Sequence, residues 1–152
     1  VATMGILNRD EGQDAATPGI VRFVSPEQAA GYFMLGETTK TSAAGKDTGK
    51  TRSPFTQPFF PLAHGLQAKR FSELASTMPN VGLWMMNTGF VAGDGQSVKN
   101  GLGFKVKIRH SSAMLEAMLK DEIVWTTDPD FGYRIVDVDA PENAGNINRG
   151  EE

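Results

Sequence analysis

Lys40, Lys46, Lys50 and Arg52 fall within one stretch, GETTKTSAAGKDTGKTRS (Gly36–Ser53), that holds no apolar side chain larger than alanine. Only Glu37 and Asp47 oppose them, in a chain whose formal net charge is −3. Cations set among glycine, threonine and serine suit an anionic ligand. Backbone N–H groups can approach it closely, and the ammonium and guanidinium groups supply charge. The same composition suits a solvated surface loop, and charge alone does not separate the two. A polar segment this long in a compact chain is a functional loop or a disordered one. The expectation is a loop from Glu37 to Ser53 that is mobile when no ligand is bound.

Its second half, GKDTGKT (Gly45–Thr51), imitates a phosphate-binding P-loop without meeting the pattern. G-x-x-x-x-G-K-[ST] requires a glycine five residues before Gly49, and that position is Ala44. A P-loop also follows a buried strand and opens a helix. Here TTKTSAA precedes, and RSPFTQPFFP follows with three prolines that forbid a regular helix.

Other chemistry-bearing residues are sparser. His64 lies just ahead of a helical pattern and reads as a cap or surface residue; His110 precedes Ser111-Ser112 and reads as part of helix initiation. Two distant histidines with no cysteine make a poor metal set. Asp128, Asp130, Asp137 and Asp139 lack the D-x-D-x-D-G loop and closing glutamate of a calcium site, so solvated strand-edge charge is the better reading. No nucleophile-elbow motif accompanies a Ser/His/Asp order. Asn87-Thr88-Gly89, at the carboxyl end of an apolar run, stands where α/β sheets place ligand-binding groups, or is an ordinary tight turn.

The elements that must position these residues follow from the patterning. The 152 residues suit one domain with a real core, residues 1–140, and the chain from Pro141 to Glu152 reads as a flexible tail. Absence of cysteine excludes a disulfide framework and a thiolate zinc site, and weakly favours a cytoplasmic protein. Mild acidity argues against nucleic-acid binding, and no apolar run approaches a membrane span.

Met4–Leu7 reads as a strand followed by a turn, and the apolar Gly19–Val24 leads into the next element. Ser25-Pro26-Glu27-Gln28 reads as a capped helix start with a capping box, and Gly36 as its stop. The aromatic, proline-punctuated PFTQPFFPLA should run extended. Leu66–Met78 reads as a helix with Phe71, Leu74, Ala75 and Met78 on one face. Val81–Met86 is apolar on both faces, as a central strand covered by helices would be, with Trp84 buried. Phe90–Phe104 is a second glycine-rich loop. Lys105–Ile108 alternates as a strand, and Ser111 or Ser112 caps a helix carrying Met114, Leu115, Met118 and Leu119. Ile123–Val138 is extended.

In this order the segments resemble the C-terminal part of ATP-dependent phosphoenolpyruvate carboxykinases. The family has a "(S/T)PEQA" helix start, a glycine-threonine loop, a "TPTF"-like element, "(L/V)NTG", and a helix opening "(I/V)-x-x-(T/S)-(R/S)-x-(M/I)-(L/I)". Here Ser25–Ala30, Gly36–Lys40, Ser53–Phe55, Asn87–Gly89 and Ile108–Leu115 follow that series, and the resemblance runs from about Ile6 to Pro141.

The resemblance implies an α/β fold, a mixed sheet flanked by helices, within a mononucleotide-binding domain. It implies a parent lyase converting oxaloacetate and ATP to phosphoenolpyruvate, carbon dioxide and ADP in gluconeogenesis, with magnesium and manganese ions. The family's P-loop, aspartate-rich motif and metal-binding lysine and histidine lie upstream of the part represented here, so the chain looks like a fragment whose partner is that upstream part. The fragment carries no catalytic or metal-binding residue and is expected to be inactive alone. By position Ser53 matches a nucleotide-touching threonine. The family's nucleotide-touching arginine falls at Lys46-Asp47, with Lys50 or Arg52 as its substitute. The alternative is a stand-alone ligand- or partner-binding domain without catalysis.

Overall fold

The computed structural model describes residues 1–40, 49–57 and 59–147. Five strands form the main sheet: β1 (Thr3–Asn8), β2 (Ile20–Arg22), β5 (Gly82–Asn87), β8 (Trp125–Thr127) and β9 (Arg134–Val136), in the order β1-β5-β2-β9-β8. β1 runs parallel to β5 and every other pairing is antiparallel, so the sheet is mixed.

The alternation of side chains along β5 divides the core. Trp84 and Met86 pack with Ile20, Val106, Met114, Met118 and Ile123 on one face; Leu83 and Met85 pack with Val21, Phe23, Ala29 and Ala75 on the other. The first face is covered by α4 (Ile108–Leu119), the second by α1 (Pro26–Leu35) and α2 (His64–Ser76). A strand buried on both faces has no need of polar alternation, which is why VGLWMM is apolar throughout. The expected central strand and buried Trp84 are both present, with Trp84 7% exposed.

α1 begins as its sequence requires. Ser25 is extended (φ −147°, ψ 157°), and its hydroxyl accepts from the Gln28 N–H at 3.2 Å. The Gln28 carboxamide does not close the expected box on Ser25. It accepts from the Val24 N–H at 3.0 Å and donates to the Phe131 carbonyl at 2.9 Å, tying the helix start to the β8–β9 turn. Gly36 ends the helix in the left-handed region (φ 49°). A β-carbon there would stand 1.7 Å from the Ser53 carbonyl oxygen, so only glycine lets the chain pass Ser53 at this point.

The polar stretch after Gly36 departs from the expected loop. Glu37–Lys40 (β3) and Gly49–Arg52 (β4) pair as an antiparallel ribbon, Glu37 opposite Arg52 and Thr39 opposite Lys50. β-branched threonines and cross-strand opposite charges favour this pairing. Residues 41–48, including Lys46, Asp47 and most of the false P-loop, lie outside the described residues.

Other elements correct the sequence reading in detail. The aromatic segment after Ser53 folds into turns, with the Phe59 and Phe60 N–H groups both donating to the Thr56 carbonyl. α2 buries Gln67 and Ala75, whereas Leu74 and Met78 are exposed. The cause is the Gln67 carboxamide, which accepts from Thr56 Oγ1 and donates to Gln57 Oε1 and the Leu62 carbonyl, turning the polar edge of the helix inward. The second glycine-rich loop contains β6 (Phe90–Val91), the short α3 (Gly95–Lys99) capped by Asp94, and β7 (Phe104–Lys105). The expected strand Lys105–Ile108 therefore reduces to a two-residue pairing.

α4 starts at Ile108, before either serine. His110 Nδ1 accepts from the Lys107 N–H at 3.0 Å, which is the helix-initiating role read for it. The chain after Pro141 was expected to be disordered, yet Pro141–Ile147 forms α5. Buried Asn143 explains it: its side chain bonds both the N–H and the carbonyl of Val124 and also the Asp137 carbonyl. Residues 148–152 lie outside the described residues.

Candidate functional site at the carboxyl ends of β1 and β5

The parallel pairing of β1 with β5 brings Asn8 and Asn87 side by side at the carboxyl ends of both strands. This is where α/β sheets present loops to ligands. Asn87 is fully buried and all four of its amide capacities are used. Its oxygen accepts from the N–H groups of Asp10 (3.2 Å) and Gly89 (2.8 Å), and its nitrogen donates to the carbonyls of Thr17 (2.9 Å) and Phe90 (2.8 Å). The β1–β2 connection is thus sewn to the β5–β6 turn. Gly89 belongs to the same seam: a β-carbon there would lie 2.0 Å from the Asp10 carbonyl oxygen. Asn87-Thr88-Gly89 is therefore a positioning device for the loop from Arg9 to Gly19, more than a simple turn.

That loop holds Asp10 almost fully buried. Its Oδ2 accepts from the N–H groups of Ala16 and Thr17 and from the Thr17 hydroxyl at 2.7 Å. Asp14 and Glu37 stand nearby, and the three carboxylates meet one cation. Lys50 Nζ lies 2.8 Å from Asp14 Oδ1 and 3.4 Å from both Asp10 Oδ1 and Glu37 Oε1. The hydrogen bond to Asp14, reinforced by the charges of Asp10 and Glu37, outweighs burial and raises the Lys50 pKa. The same hydrogen bond lowers that of Asp14. Arg52 Nε donates to Glu37 Oε2 at 2.6 Å.

Of the three residues read from the sequence as nucleotide contacts, Lys50 and Arg52 are joined through Glu37, while Ser53 sits half-buried against Gly36. Within the described residues the charges of Lys50 and Arg52 are compensated by carboxylates. Asp10 and Asp14 were missed because they lie in the turn NRDEGQD, about forty residues upstream. A buried-aspartate signal was present in that turn's acidic residues facing a strand end, but its partner could not be read from spacing.

A cavity of about 400 Å³ opens beside these groups, between the β1–β2 loop, α1 and the β8–β9 turn. Asn8 and Asp10 are polar lining groups; Phe23, Tyr32, Phe131 and Tyr133 are aromatic ones. Asn8 Nδ2 donates to the Tyr32 hydroxyl oxygen at 2.7 Å. Burial, and then the charge of Asp10, push the Tyr32 pKa well above its ordinary value, so it stays a neutral phenol.

Among the described residues no group of three His, Cys, Asp or Glu side chains is arranged to hold a metal ion. The cluster of Asp10, Asp14 and Glu37 is organised around an ammonium, so among the described residues these three do not form a set that fits the metal ions of the resembled enzymes. The aspartates of the β8–β9 region act locally. Asp128 Oδ1 accepts from the N–H groups of Asp130 and Phe131, and Asp137 Oδ1 from that of Asp139. No helix among the described residues is long and apolar enough to cross a membrane.

Comparison with known proteins agrees with this architecture. The chain is similar to "Phosphoenolpyruvate carboxykinase (ATP)" of Aeropyrum pernix, 29% identical over 118 residues, covering 78% of this chain and 22% of that protein. The Thermus thermophilus protein of the same name is 29% identical over 126 residues with the same coverage, and that of Nitrobacter hamburgensis 30% identical over 126 residues. The chain spans about a fifth of the length of these curated relatives. Residues 13–143 match the family model described as phosphoenolpyruvate carboxykinase, and the chain belongs to the ATP-dependent phosphoenolpyruvate carboxykinase family.

Proposed function

We propose that this chain is a part of a phosphoenolpyruvate carboxykinase that contributes to the nucleotide pocket, with residues 1–140 acting as one α/β unit. The parent enzyme is a lyase that converts oxaloacetate and ATP to phosphoenolpyruvate, carbon dioxide and ADP. It serves gluconeogenesis in the cytoplasm and uses magnesium and manganese ions. The family match over residues 13–143 supports this reading. The chain itself supplies no catalytic or metal-binding residue, and the missing upstream part of the enzyme is its partner.

Lys50, Arg52 and Ser53 are the proposed nucleotide contacts. Arg52 is the best placed, because its side chain is 69% exposed while its Nε is anchored on Glu37, leaving the rest of the guanidinium for a phosphate. Lys50 reaches a phosphate only by leaving the carboxylates that hold it. Ser53 offers a hydroxyl next to the ribbon.

Kinetics of the full-length gene product test the reading. Oxaloacetate-dependent ATP consumption is expected, and Arg52→Ala should raise KM for ATP about tenfold, the worth of one charge-assisted contact, without changing KM for oxaloacetate. The 152-residue chain alone should show no turnover and bind ATP at millimolar affinity or weaker. A well-folded full-length enzyme without the activity would overturn the reading. Micromolar ATP binding by the chain alone, lost in Lys50→Ala, would instead revive a P-loop role for Gly45–Thr51.

A further inference from the structure

The two cations proposed to meet a nucleotide are held unequally. Arg52 is anchored through Nε on Glu37 alone and keeps its side chain largely exposed. The Lys50 side chain is 25% exposed and shares its single ammonium among Asp14, Asp10 and Glu37. These three carboxylates are not equivalent. Asp10 is fixed from within its own loop by the Ala16 and Thr17 N–H groups and the Thr17 hydroxyl, and Glu37 is bound by Arg52. Asp14 makes the shortest contact to Lys50, at 2.8 Å, from a side chain that is 77% exposed. The loop backbone is shaped for that contact. Gly12, at φ +143°, passes so close that a β-carbon would stand 2.9 Å from Asp14 Oδ1 and 3.3 Å from Lys50 Cε. Three carboxylates against two cations leave one negative charge in excess. An incoming polyanion therefore meets in Asp14 a carboxylate that occupies Lys50 and also repels the newcomer. An ion pair this exposed is weak, because water screens both partners, so a multiply charged phosphate can displace it.

We propose that Asp14 is an intramolecular competitor of the nucleotide's phosphates: without ligand its carboxylate occupies the Lys50 ammonium, and phosphate binds there by taking its place. The exchange leaves Asp10 and Glu37 where they are, since each keeps its other partners. Arg52 needs no such exchange, so Asp14 acts on phosphate affinity through Lys50 alone. This rests on the reading of Lys50 as a phosphate contact, and adds to it a residue of the β1–β2 loop that holds the affinity down.

Inorganic triphosphate, which carries the phosphates without base or ribose, is the probe, titrated into the intact chain and followed by NMR chemical shifts through the millimolar range. Asp14→Asn, which keeps the side chain's size at an exposed position, should tighten triphosphate about threefold, the scale of an exposed ion pair. The gain should vanish when Asp14→Asn is combined with Lys50→Met. Asp139→Asn removes the same charge from the exposed connection between β9 and α5, and should leave the affinity unchanged. In the full-length gene product, Asp14→Asn should lower KM for ATP by a similar factor, with kcat and KM for oxaloacetate unchanged. Triphosphate affinity unchanged or weaker in Asp14→Asn, a gain that persists beside Lys50→Met, or an equal gain from Asp139→Asn would overturn the proposal, as would the lack of saturable binding in every variant. A raised KM for ATP in Arg52→Ala beside an unaffected Asp14→Asn would remove the competitor and leave the nucleotide reading standing. An inactive full-length enzyme with the Asp14→Asn gain intact would remove the carboxykinase reaction and keep the competitor.

Discussion

The Lys50 ammonium lies 2.8 Å from Asp14 Oδ1, joining the β3–β4 ribbon to the β1–β2 loop across 36 residues of sequence. Both partners carry shifts that report the bond: Asp14 is lowered and Lys50 raised, each with their mutual hydrogen bond as the leading cause. A lowered carboxylate stabilises the fold above its unfolded pKa of about 3.9, and that contribution is lost as pH falls through the folded value. A raised lysine stabilises below about 10.4 and loses its contribution as pH rises through its folded value. The ribbon should therefore stay docked between roughly pH 4 and pH 10. Carbon-detected NMR titration should place the Asp14 midpoint below 3.8 and return it toward that value in Lys50→Met. An unchanged midpoint in the variant would show that the pair does not persist in solution.

Asn87 invites a sharper test, because its side chain serves two backbone donors and two backbone acceptors at a fully buried position. Asn87→Ala would strand these groups, and leaving buried partners unpaired costs about 1–3 kcal/mol, more where several are lost. We expect chemical denaturation to give a loss of about 3 kcal/mol. Amide exchange should accelerate at Asp10 and Gly89, whose N–H groups lose their acceptor, while the α1–α2 face is unaffected. A loss under 1 kcal/mol would mean that water replaces the amide and that the seam contributes little.

The sheet and its helices were legible because each follows from local rules. Val81–Met86 is apolar on both faces and proved central; Ser25, Pro26 and Gly36 bracket α1 as their capping chemistry demands. What could not be read depends on partners distant in sequence. Thr39 and Lys50 look like loop residues until they pair as strands, and nothing in local propensity announces that pairing. Gln67 resembles an outward-facing helix residue and turns inward only because Thr56, Gln57 and Leu62 supply its hydrogen bonds. Asn143 likewise orders a segment whose composition reads as tail. The candidate site was half legible: its cations and Glu37 stood out, and Asp10 and Asp14, which hold Lys50 from another loop, did not.

Two glycines on either side of the end of α1 should respond in opposite directions to the same substitution. Gly31 lies inside the helix with open space where a β-carbon would go, so Gly31→Ala should stabilise by about 0.5–1 kcal/mol through reduced chain entropy. Gly36 is left-handed, at φ 49°, and would drive a methyl group into the Ser53 carbonyl. Left-handed backbone alone costs a non-glycine residue about 1–2 kcal/mol, and the collision adds to it, so Gly36→Ala should displace β4 or unfold the chain. Thermal melts of both variants decide this; a neutral Gly36→Ala would show that the ribbon is not seated on the helix end.

Trp84 separates packing from hydrogen bonding within one side chain. Its ring contacts Trp125 at 5.2 Å between centroids, the Arg22 guanidinium lies 5.2 Å from it, and it anchors the α4 side of the core. Removing a buried aromatic side chain costs about 3–5 kcal/mol, through lost transfer energy and the cavity left behind, and Trp84→Ala should fall in that range. The indole Nε1 is buried with no acceptor among the described residues. Trp84→Phe therefore deletes a group that is itself a liability, offsetting part of the lost area, and should cost about 1–2 kcal/mol. If denaturation instead gives Trp84→Phe a cost close to that of Trp84→Ala, the indole N–H has a partner in solution and the packing of this face must be redrawn. A blue-shifted indole emission that moves to longer wavelength on unfolding would confirm the burial from which both magnitudes are derived.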